Sequence, residues 1–274
     1  MALPLPTSLS PSKVSSFTDC ALAFRFSAID HLPEPPSVAA TRGTLVHAAL
    51  ERLFTLPPEA RSQAQAHVCL AEAREELRLH PDFVDLALDE EAEATFAKEA
   101  GALVDKYFRL EDPTTIIPIG IELKLEVDLG GVRLRGIIDR LELDADGELV
   151  VTDYKTGRAP GERQEQQRLA GVAFYSLLCE RLFGRRPARV QLLYLADPVA
   201  IISTPTDQST RGVERKLSAV WTAVERACER EDFRPNPSRL CDWCGFKAYC
   251  PSFGGDVALA DAHRVQQLEL AATA

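Results

Sequence analysis

Apolar residues recur at helical spacing through most of the first 110 residues of the chain. A cap at Ser10 followed by Pro11 predicts a helix over residues 13–20, which could extend to residue 26. The apolar stripe within residues 41–54 predicts a second helix. Residues 59–110 are rich in Ala, Glu and Leu and poor in β-branched residues, which predicts two or three more helices.

The pattern changes near residue 116, where β-prone residues begin to alternate with polar ones. Two glycine-containing turns, Gly130-Gly131 and Asp146-Gly147, separate three such runs and predict a three-stranded meander. The predicted strands are Ile116–Val127, Val132–Leu143 and Glu148–Lys155. The pattern after them predicts a helix over 162–183, a strand over 189–196 and a helix over 210–230. The expected fold class is therefore α/β, with a mixed sheet flanked by helices and an added helical segment.

Charged residues interrupt the last two strands of the meander. Asp139 lies within an apolar run, and Asp153 follows another. Asp153 and Lys155 share a strand face because side chains two apart point the same way, and a hairpin can bring Asp139 beside them. An ordinary solvated hairpin would also carry surface charges. Charges inside apolar runs instead indicate a cleft or an ion pair, and here they could hold a divalent cation beside a phosphate.

Composition narrows the class of protein. The chain has 274 residues, of which 46% are hydrophobic, enough for a sizeable core. No run approaches the length of a membrane span, and no basic and then apolar N-terminal segment indicates a secretory signal. We therefore expect a cytoplasmic protein with no membrane partner. The net charge of −10 argues against a non-specific nucleic-acid coat, although residues 72–112 alone contribute −8.

The order helix, meander, helix, strand is similar to that of restriction-endonuclease-like nucleases, and the central residues resemble their PD-(D/E)XK signature. Asp139 matches the first acidic position, and Asp153-Tyr154-Lys155 matches the second half. The segments G-I-I-D-R and T-D-Y-K-T-G resemble the RecB-type exonuclease branch, which also places a histidine on an upstream helix. His47 in R-G-T-L-V-H-A-A-L-E matches that position. Without the resemblance, His47 would be interpreted as a hydrogen-bonded core residue.

The resemblance implies Mg²⁺ or Mn²⁺ chemistry on a phosphodiester bond. Asp139 and Asp153 would supply oxygen ligands, which these ions prefer. By the same analogy, the Tyr154 carbonyl and His47 complete the ligand set. Lys155 would orient the attacking water or stabilise charge on the phosphate. Two nearby carboxylates favour its protonated form, and therefore this electrostatic role over that of a general base.

One position departs from the RecB-type pattern. These nucleases usually carry Gln four residues before Tyr on the helix that follows the D-x-K strand. Here Tyr175 is preceded at that spacing by Gly171. Gln167 lies one helical turn further upstream, with Gln166 beside it. Either glutamine could assist the site together with Tyr175, and the departure gives some support to a non-catalytic chain.

Three cysteines cluster near the C-terminus, at Cys241, Cys244 and Cys250, and suit a metal ion or an Fe–S cluster. A fourth ligand must come from elsewhere, and Cys20 is the candidate. The AddB group and the CRISPR-associated adaptation nucleases have one cysteine near the N-terminus and three near the C-terminus, which together hold a [4Fe–4S] cluster. The stretch before Cys20 resembles the N-terminal element of these proteins. A structural Zn²⁺ remains the alternative, because four thiolates suit zinc equally well.

The other three cysteines, at positions 69, 179 and 228, are predicted to fill the core. Signals for DNA contacts are weaker. Arg135, Arg140 and Arg158 flank the predicted site and could bind phosphates, although acidic residues interleave with them as on any mixed surface.

The expected organisation has four segments. They are N-terminal helices with the first cluster cysteine and His47 (1–58), an acidic helical segment (59–112), the nuclease core (113–232) and the cysteine cluster with its tail (233–274). The resemblance implies a metal-dependent DNA exonuclease acting on single-stranded ends in repair or recombination, with a possible helicase or repair partner. The alternatives are a CRISPR-adaptation nuclease that trims DNA, with an adaptation partner, and a non-catalytic DNA-binding or scaffold subunit.

Overall fold

The structure is a computed structural model that describes residues 2–273, with the side chains of 162–170, 172 and 268–273 outside the description. The chain divides into two compact units, each built from separate stretches. The terminal unit comprises Met1–Pro35, Asp128–Arg135 and Glu214–Ala274, and the central unit comprises Pro36–Val127 and Gly136–Val213. The division into four segments stays a prediction about the order of features along the chain.

The helices follow the predicted pattern closely. They are α1 (Pro11–Asp19), α2 (Ala21–Ala28), α3 (Val38–Thr55), α4 (Gln63–Leu77), α5 (Pro81–Val84), α6 (Glu90–Tyr107), α7 (Glu162–Phe183), α8 (Asp207–Arg230) and α9 (Val257–Thr273). Polar caps start several of them, as the sequence signals require. The Ser10 side chain accepts a hydrogen bond from the Lys13 amide, and Asp89 accepts one from the Ala92 amide.

A mixed sheet forms the second layer. Its strands, in the part of the chain that is described, are β1 (Pro118–Leu129), β2 (Val132–Leu143), β3 (Leu149–Lys155), β4 (Arg189–Tyr194) and β5 (Val199–Ser203), and they lie side by side in that order. β3 pairs antiparallel with β2 and parallel with β4. The parallel pair needs a long crossover, which α7 provides. The meander and the crossover were predicted, whereas β5, antiparallel to β4, was not.

The core of the central unit joins helices to the sheet. Buried residues of α3, α4 and α6 pack in one cluster with Tyr154 of β3 and Leu193 of β4. Gly43 lets α3 approach the end of β3, because a Cβ at this position would lie 3.0 Å from the Thr156 Oγ1 atom. This close packing fixes the part of α3 that carries His47, one helical turn after Gly43.

The C-terminal tail contains a long helix, α9, which begins at Val257 and lies within the terminal unit. Arg264 lies 3.0 Å from the buried Asp30 carboxylate, which also pairs with Arg25 at 2.9 Å. These partners are more than 200 residues apart, so the local pattern gave no signal of them. In the described residues, no helix combines the length and apolar character needed to cross a membrane.

Candidate active site

The predicted carboxylates meet at the β2–β3 pair. Asp153 is buried on β3, and the Lys155 Nζ atom lies 2.5 Å from its Oδ2 atom. The backbone amide of Tyr154, between them in sequence, donates a hydrogen bond of 2.6 Å to Asp139 Oδ2 on β2. Asp139 is thereby held against the backbone of the strand that carries Asp153 and Lys155.

His47 reaches the same place from α3. Its Nε2 atom lies 3.1 Å from the Tyr154 carbonyl oxygen, and its Nδ1 atom lies 3.5 Å from Asp139 Oδ2. The Tyr154 carbonyl points at the imidazole while the Tyr154 amide is bonded to Asp139. The helix and the two strands therefore bring three of the predicted ligands together around one peptide.

Glu122 of β1 joins this group, although the sequence pattern did not predict it as a site residue. Its Oε1 atom lies 3.9 Å from His47 Nδ1, and one ligand atom each from His47, Glu122 and Asp139 lie within 4.8 Å of one another. Glu122 has a backbone φ of 45°, a left-handed conformation that is uncommon for a residue other than glycine. It is half-buried, whereas Lys124 and Glu126 on the same strand are exposed.

The carboxylates change the protonation of the imidazole. Burial alone would lower the pKa of His47, but hydrogen bonds to Asp139 and Glu122 and the nearby Asp153 charge raise that pKa to about 10. In the absence of a metal ion, His47 is therefore a cation that partly neutralises the carboxylates. Binding of a metal ion to the imidazole must displace a proton from it.

Asp153 has a different environment. Burial raises the pKa of its carboxyl group, and the Lys155 ammonium group opposes the shift. The other carboxylate acting on it is Asp139, which favours the protonated form of Asp153. A divalent cation would relieve the repulsion between these two carboxylates, because it adds positive charge to that of Lys155 and His47.

The spacing of the donor atoms fits a small hard cation. Ligands at right angles on an Mg²⁺ ion with bonds of 2.0–2.1 Å lie about 3 Å apart. The separation of 3.5 Å between the His47 Nδ1 atom and the Asp139 Oδ2 atom is close to this value. Carboxylate and carbonyl oxygens are also the ligands that Mg²⁺ and Mn²⁺ prefer. Asp153 is not one of the three residues whose ligand atoms lie within 4.8 Å of one another, and its carboxylate is paired with Lys155.

Tyr175 of α7 faces the carboxylates. Burial, followed by the charges of Asp153, Asp139 and Glu122, raises the pKa of its phenol, which stays protonated. Its ring packs on β2 at Gly136, where a Cβ would lie 3.1 Å from Tyr175 Cε1. The helix therefore rests on the strand at a residue without a side chain.

The predicted auxiliary glutamine is not placed by the structure. The side chain of Gln167 lies outside the described residues. At Gly171, a Cβ would meet no described atom within 4 Å, so there is room for a side chain at the position where RecB-type nucleases carry glutamine.

The arginine predictions separate into two groups. The prediction that Arg140 contacts DNA is wrong, because its side chain is fully buried and paired with Glu111 and Glu142 on the opposite face of the sheet. Alternation along β2 places it there, next to Asp139 in sequence but facing away from it. Arg135 and Arg158 are exposed, and their contact with DNA stays a prediction.

The four clustered cysteines meet within the terminal unit. Cys20, Cys241, Cys244 and Cys250 are half-buried and line one cavity of about 250 Å³. The Asn236 amide donates to Cys20 Sγ at 3.5 Å, and the Ser238 amide donates to Cys241 Sγ at 3.3 Å. Hydrogen bonds from backbone amides to sulfur stabilise thiolates and alter the reduction potential of metal centres.

The remaining cysteines are buried, and the prediction that they fill the core is confirmed. They are Cys69, Cys179 and Cys228.

Comparisons with known proteins agree with this geometry. A sequence profile of the PD-(D/E)XK nuclease superfamily matches residues 8–251. The "Gene 69 protein" of Mycobacterium phage D29 is 25% identical over 274 residues, covering 89% of this chain and 96% of that protein. The protein of the same name from Mycobacterium phage L5 is 29% identical over 136 residues, covering 48% of this chain and 44% of that protein.

A solved structure shares the fold. The crystal structure of an Eubacterium rectale protein named as a candidate exonuclease superposes with a TM-score of 0.54 at 12% identity, covering 87% of each chain. The profile match extends over both predicted aspartates, Lys155, His47 and all four clustered cysteines. From the matched length and the geometry of the β2–β3 pair, we conclude that the chain belongs to the PD-(D/E)XK nuclease superfamily.

Proposed function

We propose that this nuclease is a Mg²⁺- or Mn²⁺-dependent DNA exonuclease that acts on single-stranded ends during DNA repair or recombination. The observation that carries the metal dependence is the ligand group of His47, Glu122 and Asp139 beside the Asp153–Lys155 pair. The RecB-type motifs around these residues, and the exonuclease name of the structural neighbour, support exonuclease over endonuclease action. A helicase or another repair protein is the expected partner.

The ligand set would be His47, Glu122, Asp139, Asp153 and the Tyr154 carbonyl. A divalent ion held there would supply Lewis-acid stabilisation of charge on the phosphate and would make the attacking water more acidic. The chain's own residues hold the geometry. The Tyr154 amide fixes the Asp139 carboxylate through its 2.6 Å hydrogen bond, and His47 releases its proton when it becomes a ligand.

Lys155 is the cation nearest the reacting phosphate in this proposal. Its side chain is 42% exposed, whereas that of Asp153 is 8% exposed, so the ammonium can exchange its partner for a bound anion. An ammonium group at this position can stabilise charge on a phosphate or orient water. The protonated phenol of Tyr175 could donate a further hydrogen bond at the same face.

The test is degradation of single-stranded DNA that carries a label at one end. Linear and circular strands of equal length are incubated with the protein in Mn²⁺, in Mg²⁺ and in a chelator. We expect loss of the linear strand only, with a metal ion present, and the position of the label gives the polarity. Cleavage of the circle would contradict the exonuclease proposal. No cleavage of either strand in any metal would favour the non-catalytic alternative, for which Gly171 is the supporting departure.

We further propose that Cys20, Cys241, Cys244 and Cys250 hold a [4Fe–4S] cluster. All four line one cavity of about 250 Å³ within the terminal unit. The resemblance to the AddB group and the CRISPR-associated adaptation nucleases favours this cluster over a structural Zn²⁺, which four thiolates would also suit.

The colour and metal content of anaerobically purified protein test the cluster. Brown protein containing about four iron atoms per chain is expected from one [4Fe–4S] group. Colourless protein with one zinc would contradict the cluster and leave the nuclease proposal standing. In either case the metal would join Cys20 to a segment that begins 221 residues later, at Cys241.

A further inference from the structure

A network of buried polar groups lies on the face of the sheet opposite the candidate metal site. Its centre is Arg140, the residue after Asp139, with no exposed side-chain surface. Its guanidinium binds both oxygens of Glu111, at 2.8 and 2.9 Å, and its Nε atom donates to Glu142. It also lies over the Phe54 ring at 4.7 Å.

Two hydroxyl groups of β3 accept further bonds from this guanidinium. The Arg140 Nη1 atom donates to the Tyr154 hydroxyl at 2.8 Å, and the Nη2 atom donates to the Thr152 hydroxyl at 3.1 Å. Gln191 of β4 completes the network, because its amide donates to Thr152 and to Glu111, each at 2.8 Å. Groups from three neighbouring strands and from the loop after α6 therefore converge on one arginine.

A buried ion network is a costly way to stabilise a core. Apolar residues of similar volume are often as good or better, because two or more charges must lose their water. What such a network offers is a fixed geometry, since each donor of a planar guanidinium has one direction. The position of this network, directly behind the site, indicates what geometry it fixes.

Tyr154 connects the two faces of the sheet. Its hydroxyl is bound by Arg140, while its amide binds Asp139 and its carbonyl faces His47. Its ring also contacts the His47 ring edge-on, with 5.9 Å between centroids. A shift of this side chain would therefore move one proposed ligand directly and disturb the contacts of two others.

We infer that Arg140 is a positioning residue for the metal site, and that it acts through the Tyr154 hydroxyl. The inference rests on the proposed function, because it requires that His47, Asp139 and the Tyr154 carbonyl bind a divalent ion. Arg140 itself contacts neither the ion nor the substrate. Its role is to hold the Tyr154 peptide in the orientation that presents the carbonyl oxygen to the ion.

The test compares two hydroxyl groups that accept bonds from the same guanidinium. Tyr154→Phe removes the hydroxyl of the residue whose peptide contacts Asp139 and His47. Thr152→Val removes the hydroxyl of a residue whose peptide makes neither contact. Mn²⁺ affinity is measured by electron paramagnetic resonance of the free and bound ion, without substrate. We expect Tyr154→Phe to weaken Mn²⁺ binding about tenfold. This is the lower end of the loss in metal affinity that follows mutation of groups hydrogen-bonded to metal ligands. Thr152→Val should bind Mn²⁺ as the wild type does.

A further variant, Arg140→Lys, keeps the charge and loses the planar fork, and should weaken Mn²⁺ binding at least as much as Tyr154→Phe. If Arg140→Lys fails to fold, the two hydroxyl variants decide. Wild-type affinity in Tyr154→Phe, or an equal loss in Thr152→Val, would overturn the inference while leaving the metal site intact. A wild-type protein that binds no Mn²⁺ would overturn the proposed function, and the inference with it.

Discussion

The two candidate metal centres are built in opposite ways. The oxygen and nitrogen ligands around His47 come from a helix and the sheet, and three of their atoms already lie within 4.8 Å of one another. The four cysteines lie in α1's C-cap and in short turns after Ser238, around a cavity of about 250 Å³. The first centre therefore lies on regular helix and strand, whereas the second lies on short turns.

This difference separates what each metal would do. At the first centre, the Tyr154 amide binds Asp139 and the cationic His47 offsets the carboxylate charges, so we expect the fold to persist without an ion. At the second, binding energy is also folding energy, because a metal bound to the four thiolates would join segments from both ends of the chain. We therefore expect loss of the first metal to abolish activity and loss of the second to loosen structure.

The largest effect is expected from the residues nearest the phosphate. Asp153→Ala or Lys155→Ala should lower Mn²⁺-dependent exonuclease activity by about a thousandfold, because charge stabilisation in the transition state is lost. Lys98→Ala removes an exposed lysine of α6 and is the matched control. Time courses with labelled DNA measure the rates. Substantial activity in Lys155→Ala would show that another group carries the charge.

At the second centre, one thiolate should decide metal binding. Cys250→Ser is expected to lose the metal group and to lower the midpoint of thermal unfolding by several degrees, because the bound metal stabilises the folded state. Cys228→Ala, in the same unit but buried away from the cavity, should keep its metal. Metal analysis and calorimetry check both variants. Full metal content in Cys250→Ser would exclude this cysteine as a ligand.

Glu122 provides a sharper test of the first centre. Glu122→Gln keeps the shape of the side chain and removes its charge, and it should weaken Mn²⁺ binding about tenfold. Glu126→Gln makes the same change at an exposed position of β1 and should have no effect. Titrations followed by electron paramagnetic resonance give both affinities. Equal affinities in the two variants would remove Glu122 from the ligand set.

Proton release distinguishes the cationic His47 from an ordinary histidine. Because the pKa of His47 is raised to about 10 without metal, Mn²⁺ binding at about pH 8 should release close to one proton. An unperturbed histidine, with a pKa of about 6.5, would release almost none at that pH. Calorimetry in buffers of different ionisation enthalpy counts the protons, and His47→Asn should abolish the release.

The same shift gives a stability profile for the metal-free protein. A folded-state pKa above the unfolded value stabilises the protein fully below about pH 6.5. This contribution is lost as the pH rises from about 6.5 toward the raised pKa of about 10. Denaturant unfolding of the metal-free protein should therefore show a fall in stability over this range, and the fall should be absent in His47→Asn.

The smallest effect is expected at Gly171. A Cβ there meets no described atom within 4 Å, so Gly171→Gln should fold and gain about 0.5 kcal/mol in the free energy of unfolding, since glycine is a poor helix former. Chemical denaturation measures this gain. If the glutamine also raises exonuclease activity, the position has kept the role that it has in RecB-type nucleases. Destabilisation would show that the helix is closely packed at this residue.

Much of the first centre was predictable because its signals are local. Asp139, Asp153 and Lys155 lie within one hairpin, and charges inside apolar strands are uncommon enough to attract notice. The meander and α7 followed from turn residues and periodicity. Cys20 and the three later cysteines are far apart, and only a resemblance joined them before the structure placed them around one cavity.

The features that were missed depend on contacts between distant segments. Glu122 has the same place in the alternation of β1 as exposed neighbours, and only its left-handed backbone turns it toward His47. Arg140 has the sequence context of a DNA contact, but its partner Glu111 lies 29 positions earlier. For α9, the ion pairs with Asp30 decide its position, and no local pattern predicts such pairs.

The most direct test of the central claim compares occupancy and activity in one titration. Mn²⁺ binding and the rate of exonuclease cleavage are measured over the same range of Mn²⁺, for the wild type and for Glu122→Gln. We expect occupancy and rate to rise together, and both midpoints to shift about tenfold in the variant. Cleavage that persists in a chelator, or a rate midpoint that stays in place while the binding midpoint moves, would contradict catalysis by an ion at this site.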